Sequence, residues 1–574
     1  MDHVDRAALI DTAQGRRPAD LLLRRARIVN VFTGRIEDRD VAVTAGHIAG
    51  FSVSAAARVL DLQGAFLLPG FIDAHVHLES GLLEPAGWAR AVLALGTTGV
   101  IADPHEIANV LGVDGVRFLI RRLAQTPLRA RFMAPSCVPA THLETAGAAI
   151  GPDEIAELLR LPEVIGLGEV MNVPGVLGAG DSILAKIGQA RAAGRTVDGH
   201  APGLHGAALD AYAAAGVQTD HECVAPDEAR QKLAIGMAIL LREGTAARNL
   251  EALLPVVTPD TLPQCMLCTD DRHLADLRDR GHINSVLRRA VELGLDPVSA
   301  IRLATLNPAR HYGLTDRGAI APGYRADLVV CPDLVSFRPT RVFVAGQCVY
   351  ADGEDLWEPP PWDGPWPNRF RLPPLDASFF RLTADGPTLP VIGVVPGQIV
   401  TEALTAERQA DHGEVHADPD RDLLKLFVIE RYSGTGGRAG ALVRGFGLRA
   451  GALAASVAHD AHNVIVVGAE DEAMAQAVMA LRESGGGLAV AGPDGVQCLP
   501  LPVAGLMSAA DGAAVVTATE RLQTAARALG CRLDEPFMHL SFLALPVIPT
   551  LKLTDRGLVD VRRFEFVHSY RTGG

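Results

Sequence analysis

The chain has 574 residues, 48% hydrophobic and 21% charged, with a net charge of −14. That length exceeds one ordinary core and predicts two or three domains, and the acidic balance excludes the basic face of a nucleic-acid surface. No window approaches the roughly 18 uncharged apolar residues of a membrane span, and MDHVDRAALIDTAQGRRPAD at the N-terminus lacks the apolar core of a signal peptide.

Residues of about 19 to 66 read as short strands with tight turns, in LLLRRARIVNV and VAVTAGHIAGF. Residues of about 320 to 353, with ADLVVCPDL and RVFVAGQCVYADG, share that texture. The two pieces are expected to pair into one small β-sandwich. Between them, apolar strand-like runs alternate with helix-like stretches: GFIDAHVH, TGVIADPH, RFMAPSCVP, VIGLGEV, TVDGHAP, VQTDHE, GMAILLREG and QCMLCTDD. Near-continuous apolar runs suit buried parallel strands, and 3.6-spaced apolar positions suit covering helices. The fold class is therefore α/β, a (β/α)8 TIM-like barrel. The Pro/Trp-rich EPPPWDGPWPNRFRLPP is a linker or an ordered crossing arm, and the chain beyond it alternates strands and helices as a separate α/β domain. The expected division is 1–68 and 319–357 for the sandwich, 69–318 for the barrel, and 375–574 for the last domain.

In a barrel the C-terminal strand ends build the site. His75 and His77 lie two apart, on one face of a strand and roughly 6.5 Å apart along it. Alone, such a pair says little. However, Glu169, His200, His221 and Asp270–Asp271 end other runs. Imidazoles and carboxylates suit Zn, Fe or Mn, a carboxylate can bridge two cations, and leaving such groups buried without an ion is costly.

Other clusters carry less. His142 follows the third run and is taken as a candidate at the mouth; Lys186, in a helix-like stretch, is read as solvated. His459, Asp460, His462 and Asn463 resemble ligands by type but are read as structural hydrogen bonders. Cys265 and Cys268 form a CxxC with no second pair nearby. SGTGG lacks the Lys-Ser/Thr of a phosphate loop. The eight cysteines read as reduced thiols of a cytoplasmic protein.

LLPGFIDAHVHLES, LATLNPARHYGL and GAIAPGYRADLVV resemble the amidohydrolase superfamily. GTTGVIADPHEIANVLG, GLGEVMNVPGVLG, DGHAPGL, TDHE and CTDDRH, with ERYSGTG and SVAHDAHNVIVVG further on, resemble the bacterial adenine deaminase family within it. Glu169 stands where many superfamily members carry a modified lysine. The resemblance implies hydrolysis of adenine to hypoxanthine and ammonia, by a water activated at two divalent metals and attacking C6. Mn or Fe is implied more than Zn. His75, His77 and Asp270 are assigned to one ion, His200 and His221 to the other, and Glu169 to the bridge. Asp270 is expected to take the proton of the attacking water. Asp103, His105, Glu106 and Asp271 are candidates for the acid and for contacts to the purine. Asp103 and Glu106 could equally cap the helix that comes next. The expected protein is a homo-oligomer, a dimer or higher, in purine salvage or adenine catabolism, with no nucleic-acid or membrane partner. An N-acetyl amino-sugar deacetylase is the alternative enzyme. A non-catalytic binding protein on an old scaffold would have lost ligands, and none is missing.

Overall fold

The computed structural model describes residues 5–407 and 413–572, so the outermost residues of the first and last expected segments lie outside it. Eight parallel strands succeed one another in chain order: β1 (Phe71–His77), β2 (Thr97–Ala102), β3 (Arg129–Ala134), β4 (Val164–Val170), β5 (Thr196–Gly199), β6 (Thr219–Asp220), β7 (Ala238–Arg242) and β8 (Cys265–Cys268). β1 to β5 pair in sequence, as do β6 to β8. Gln218 N donates to Val197 O at 2.9 Å and so joins β5 to β6. Just past β8, Asp270 and Asp271 pair with Val76 and His77 of β1. The strands thus curl into a TIM-like barrel.

β1, β2 and β4 are buried along their whole length, as expected of strands covered on both faces. Ala74, Ile101, Met133, Ile165, Leu240 and Met266 pack together across the strands. The expected helices form between them, including Pro85–Ala94, Val113–Leu123, Pro152–Leu158, Asp181–Ala192 and Gly206–Ala214. Glu84 caps the first of these, its carboxylate accepting from the backbone of Ala86 and Gly87.

Lys186 is a correction to the expectation of solvation. Helix Asp181–Ala192 buries Ile183, Lys186, Ile187 and Ala190, a helical stripe, and Lys186 Nζ donates to Ser136 O at 2.7 Å. The stripe decides the burial, and the backbone carbonyl satisfies the ammonium.

The flanks meet in one nine-stranded sheet, where Leu328–Cys331 pairs antiparallel with Phe66–Pro69. The Pro/Trp-rich segment is an ordered arm on the barrel. Trp362 and Trp366 stack at 5.5 Å, Phe118 meets Trp362 edge-on, and Arg122 donates to Pro360 O at 2.8 Å. Beyond it lies an eight-stranded, largely antiparallel sheet between Thr388 and Pro500, covered by helices Asp471–Ser484 and Gly512–Ala528. This last region docks on the barrel mouth. Ser508 exchanges backbone hydrogen bonds with Leu82 and Glu84, and Asp555 accepts from Thr145 N at 2.9 Å. No described helix is long and apolar enough to cross a membrane.

Candidate metal centre

The strand ends converge on one carboxylate. Glu169, ending β4, turns Oε1 toward His77 Nε2 at 3.2 Å and His75 Nε2 at 3.7 Å. Its Oε2 faces His200 Nδ1 at 2.6 Å and His221 Nε2 at 3.2 Å. Asp270 Oδ1 completes the first group, 3.0 Å from His77 Nε2 and 3.6 Å from His75 Nε2. Asp270 has a φ of 57°, and this left-handed turn aims its side chain back at β1.

The donor set fits cations. His75 Nε2 and His77 Nε2 lie 3.1 Å apart, and His77 Nδ1 is 2.9 Å from the carbonyl of Asp103. That carbonyl can only accept, so Nδ1 carries the proton and Nε2 presents its lone pair inward. A neutral His77 therefore cannot donate to either carboxylate, whereas a cation between the rings satisfies all four groups. Among the described residues, His75–His77–Asp270, His75–Glu169–His221 and His200–His221–Glu222 each bring ligand atoms within 4.8 Å of one another.

The electrostatics agree. Burial pushes the Glu169 carboxyl up, but His221 and His200 hold it well below its ordinary range. Burial likewise raises Asp270, and Arg242 leads the groups that hold it well below. Burial pushes His200 down, yet Glu222 and Glu169 lift it to about 9. A field that favours a proton on that ring also favours a metal cation beside it.

Asp103 is buried and accepts from Glu169 N at 2.9 Å through Oδ2; its Oδ1 has no hydrogen-bond partner among the described residues. His105 lies between Asp103 Oδ1 at 3.5 Å and Glu106 Oε1 at 3.4 Å. Asp271 accepts from the Ser80 hydroxyl. The helix-cap alternative for Asp103 and Glu106 is not what forms. Pro104 holds the cap position of helix His105–Leu111, without a side-chain hydrogen bond. His142 is the candidate that the structure does not bring to the others. It is exposed, and its ring meets Phe564 at 5.5 Å.

Several groups in the site escaped the sequence reading. Glu222 comes directly after His221 in the TDHE motif, and its Oε1 lies 3.4 Å from His221 Nε2. Arg242 ends β7, a strand-end signal passed over, and bonds both Glu222 and Asp270. Glu79, two residues past His77, accepts from Ile107 N at 3.2 Å, and burial raises its carboxyl to about 7. His459 and His462, read as structural hydrogen bonders, do hydrogen-bond, but their partner is Glu106 across the domain boundary, which no local pattern announces.

The centre opens through a cavity of about 60 Å³, lined by His77, His105, Glu106, Glu169 and Asp271 together with Phe542 and Leu545. It adjoins an outer cavity of about 840 Å³, and both share His200, Glu222, Arg242, Ile399 and Val547. Gly397–Val400 and Val547–Pro549 of the last domain roof the outer space, whose size is that of an ordinary small-molecule cleft.

Residues 66–349 match the amidohydrolase family, and residues 398–565 match the adenine deaminase C-terminal domain. The chain is 49% identical to an adenine deaminase of Desulfatibacillum aliphaticivorans over 563 residues, 97% of this chain and 98% of the relative. It is 48% identical to an adenine deaminase of Methanothrix thermoacetophila over 561 residues, with the same coverage. Among solved structures, an enamidase of the amidohydrolase superfamily is similar at 17% identity and a TM-score of 0.44, covering 58% of this chain and 96% of its own.

Proposed function

The chain belongs to the adenine deaminase family of the amidohydrolases, and from that premise we propose that it hydrolyses adenine to hypoxanthine and ammonia with the residues gathered around Glu169. The observation that carries the reading is Glu169 itself, one oxygen toward His75 and His77 and the other toward His200 and His221.

The residues that would hold two divalent cations are His75, His77 and Asp270 on one side, His200 and His221 on the other, and Glu169 between them. When bound, the cations supply a water of lowered pKa and charge that stabilises developing negative oxygen. The imidazole and carboxylate donor set suits Mn, Fe and Zn alike, and it is the family resemblance that implies Mn or Fe more than Zn.

The chain's own groups divide the proton work. Arg242 Nη1 ties Asp270 Oδ2 at 2.5 Å and leaves Oδ1 turned to the histidines, placed to take the proton of the attacking water. As the water oxygen bonds to C6, N1 of the purine must gain a proton. As the C6–N bond breaks, the departing amine must gain another. Both are protons of the attacking water, one taken by Asp270 and one released as the C6 hydroxyl becomes a carbonyl. His105, between the Asp103 and Glu106 carboxylates on the inner cavity wall, is placed to pass one of them on. Ile399, Val547 and Phe542 line the mouth with apolar surface. The free thiols of the eight cysteines support a reducing cytoplasm.

A sugar-phosphate deacetylase requires a basic group free for phosphate. Of the arginines lining the two cavities, Arg242 is held by Glu222 and Asp270, and Arg248 donates to the carbonyls of Gly244 and Thr245. Ammonia release from adenine, measured beside adenosine, guanine and N-acetylglucosamine 6-phosphate, tests the assignment; turnover of the sugar phosphate alone overturns it. Glu169→Gln is expected to lose both metal content and turnover, and survival of both refutes the bridge.

A further inference from the structure

The last domain sends one loop into the barrel. It joins strands Ala452–Ala455 and Val464–Gly468 and carries His459 and His462. His459 Nδ1 lies 2.7 Å from Glu106 Oε1, and His462 Nε2 hydrogen-bonds Glu106 Oε2. All three side chains are buried. One carboxylate in the barrel is thus gripped on both oxygens by another domain.

Two readings of this trio compete, a third metal site and a hydrogen-bonded clamp. The backbone decides between them. Ala458 N–H points at His462 Nδ1 from 3.2 Å, so Nδ1 is the acceptor and a neutral ring carries its proton on Nε2. That proton points at Glu106 Oε2 and occupies the position a metal would need. Burial lowers His462 to about 4 despite Glu106, which keeps the ring neutral. The ring of His459 is stacked on Phe542, 4.4 Å away and 16° from parallel, and this fixes the direction of its Nδ1.

The loop is itself held rigid. His459 N donates to Ser541 O at 3.1 Å, the Tyr432 hydroxyl bonds Ala461 O, and Asn463 Nδ2 donates to Thr145 O at 2.8 Å. His462 has a φ of 53°, a conformation that such bracing sustains. A braced double donor costs a carboxylate its freedom to rotate, and Glu106 lies in the wall of the inner cavity beside His105.

We propose that His459 and His462 are positioning residues, a two-pronged clamp by which the C-terminal domain fixes the Glu106 carboxylate for the chemistry of the barrel. The domain then completes the active site as well as covering it. This rests on the reading that Glu106 works with His105 on the purine.

The geometry names its own variants. Glutamine places an amide N–H near the position of Nε2, whereas asparagine falls short of Glu106, and both are polar. In the metal-loaded full chain, His462→Asn is expected to lower kcat by about 100-fold or more with little change in KM. His462→Gln is expected to stay within about tenfold of the parent. Adding His462→Asn to Glu106→Gln is expected to cost nothing further, because the clamp acts only through Glu106. If the losses from Glu106→Gln and His462→Asn multiply, or if His462→Gln is as poor as His462→Asn, the clamp is overturned and the role of Glu106 stands. If Glu106→Gln alone keeps full kcat, the role of Glu106 falls and the clamp falls with it. Metal content, read in every variant, is expected to be unchanged; loss of metal from His462→Asn or His462→Gln overturns the clamp in favour of a third metal site.

Discussion

Replacing Arg242 by Met isolates the electrostatics of the site. Arg242 Nη1 holds Asp270 Oδ2 at 2.5 Å and also bonds Glu222 Oε1, while Nη2 holds Glu222 Oε2 at 3.1 Å. All three side chains are largely out of water. Methionine keeps much of the apolar stem, so the change removes charge more than volume. Breaking a buried pair by deleting one partner costs about 3–5 kcal/mol, and one guanidinium here serves two carboxylates. Each pair at about 4 Å is worth roughly 4 kcal/mol at an effective dielectric constant of 20, which puts the metal-free protein at the upper end, about 5 kcal/mol. Bound cations take over part of the compensation, so the metal-loaded protein is expected to lose less. Urea unfolding of both forms, monitored through the barrel transition, reads the difference. Adding Glu222→Gln to Arg242→Met removes one of the stranded charges and is expected to restore about 1–2 kcal/mol. A metal-free Arg242→Met protein as stable as the parent, or a double variant less stable than the single one, refutes the reasoning.

Lys552 Nζ is buried, donating to Ile399 O at 2.7 Å and Phe542 O at 2.8 Å, and burial lowers it to about 7. An unfolded lysine titrates near about 10.4 and binds more protons between those values, so this group makes stability rise with pH there. From pH 7 to pH 9 its contribution is up to about 2.7 kcal/mol, and Lys552→Met is expected to flatten that part of the unfolding profile; an unchanged slope counts against it. A Cβ at Gly168 would stand 2.2 Å from Asp103 Oδ2, so Gly168→Ala is expected to displace Asp103 and cut kcat by roughly 100-fold with the circular dichroism spectrum unchanged, and parental turnover rules that out. Chelation is expected to abolish turnover and lower thermal stability, because an ion bound only by the folded state stabilises it by mass action; Mn or Fe, the ions the family resemblance implies, is expected to restore more turnover than Zn.

How far this site was legible depends on the physics of each residue. His75, His77, Glu169, His200 and His221 stand at or just past strand ends, where local alternation and barrel topology jointly fix position, so their convergence on Glu169 was readable from spacing and family resemblance. The strand-end rule weakens once the chain leaves the strand. His142 lies well past Ala134, in a segment that runs outward to Phe564. Lys186 shows two local signals in conflict: its type favours water, its place in a helical stripe favours burial, and the carbonyl of Ser136 settles the matter. Glu222 and Arg242 needed three-dimensional knowledge, since a carboxylate beside a ligand is a metal group or an ion-pair partner according to which cation reaches it. The least legible link joins Glu106 to His459 and His462, more than 350 positions apart. No periodicity spans that distance; only the docking of one domain on another creates it. The local code therefore specifies the cluster around Glu169, and domain assembly specifies the contacts that His459 and His462 make to Glu106. For that reason the C-terminal domain is expected to tune turnover and specificity more than metal affinity.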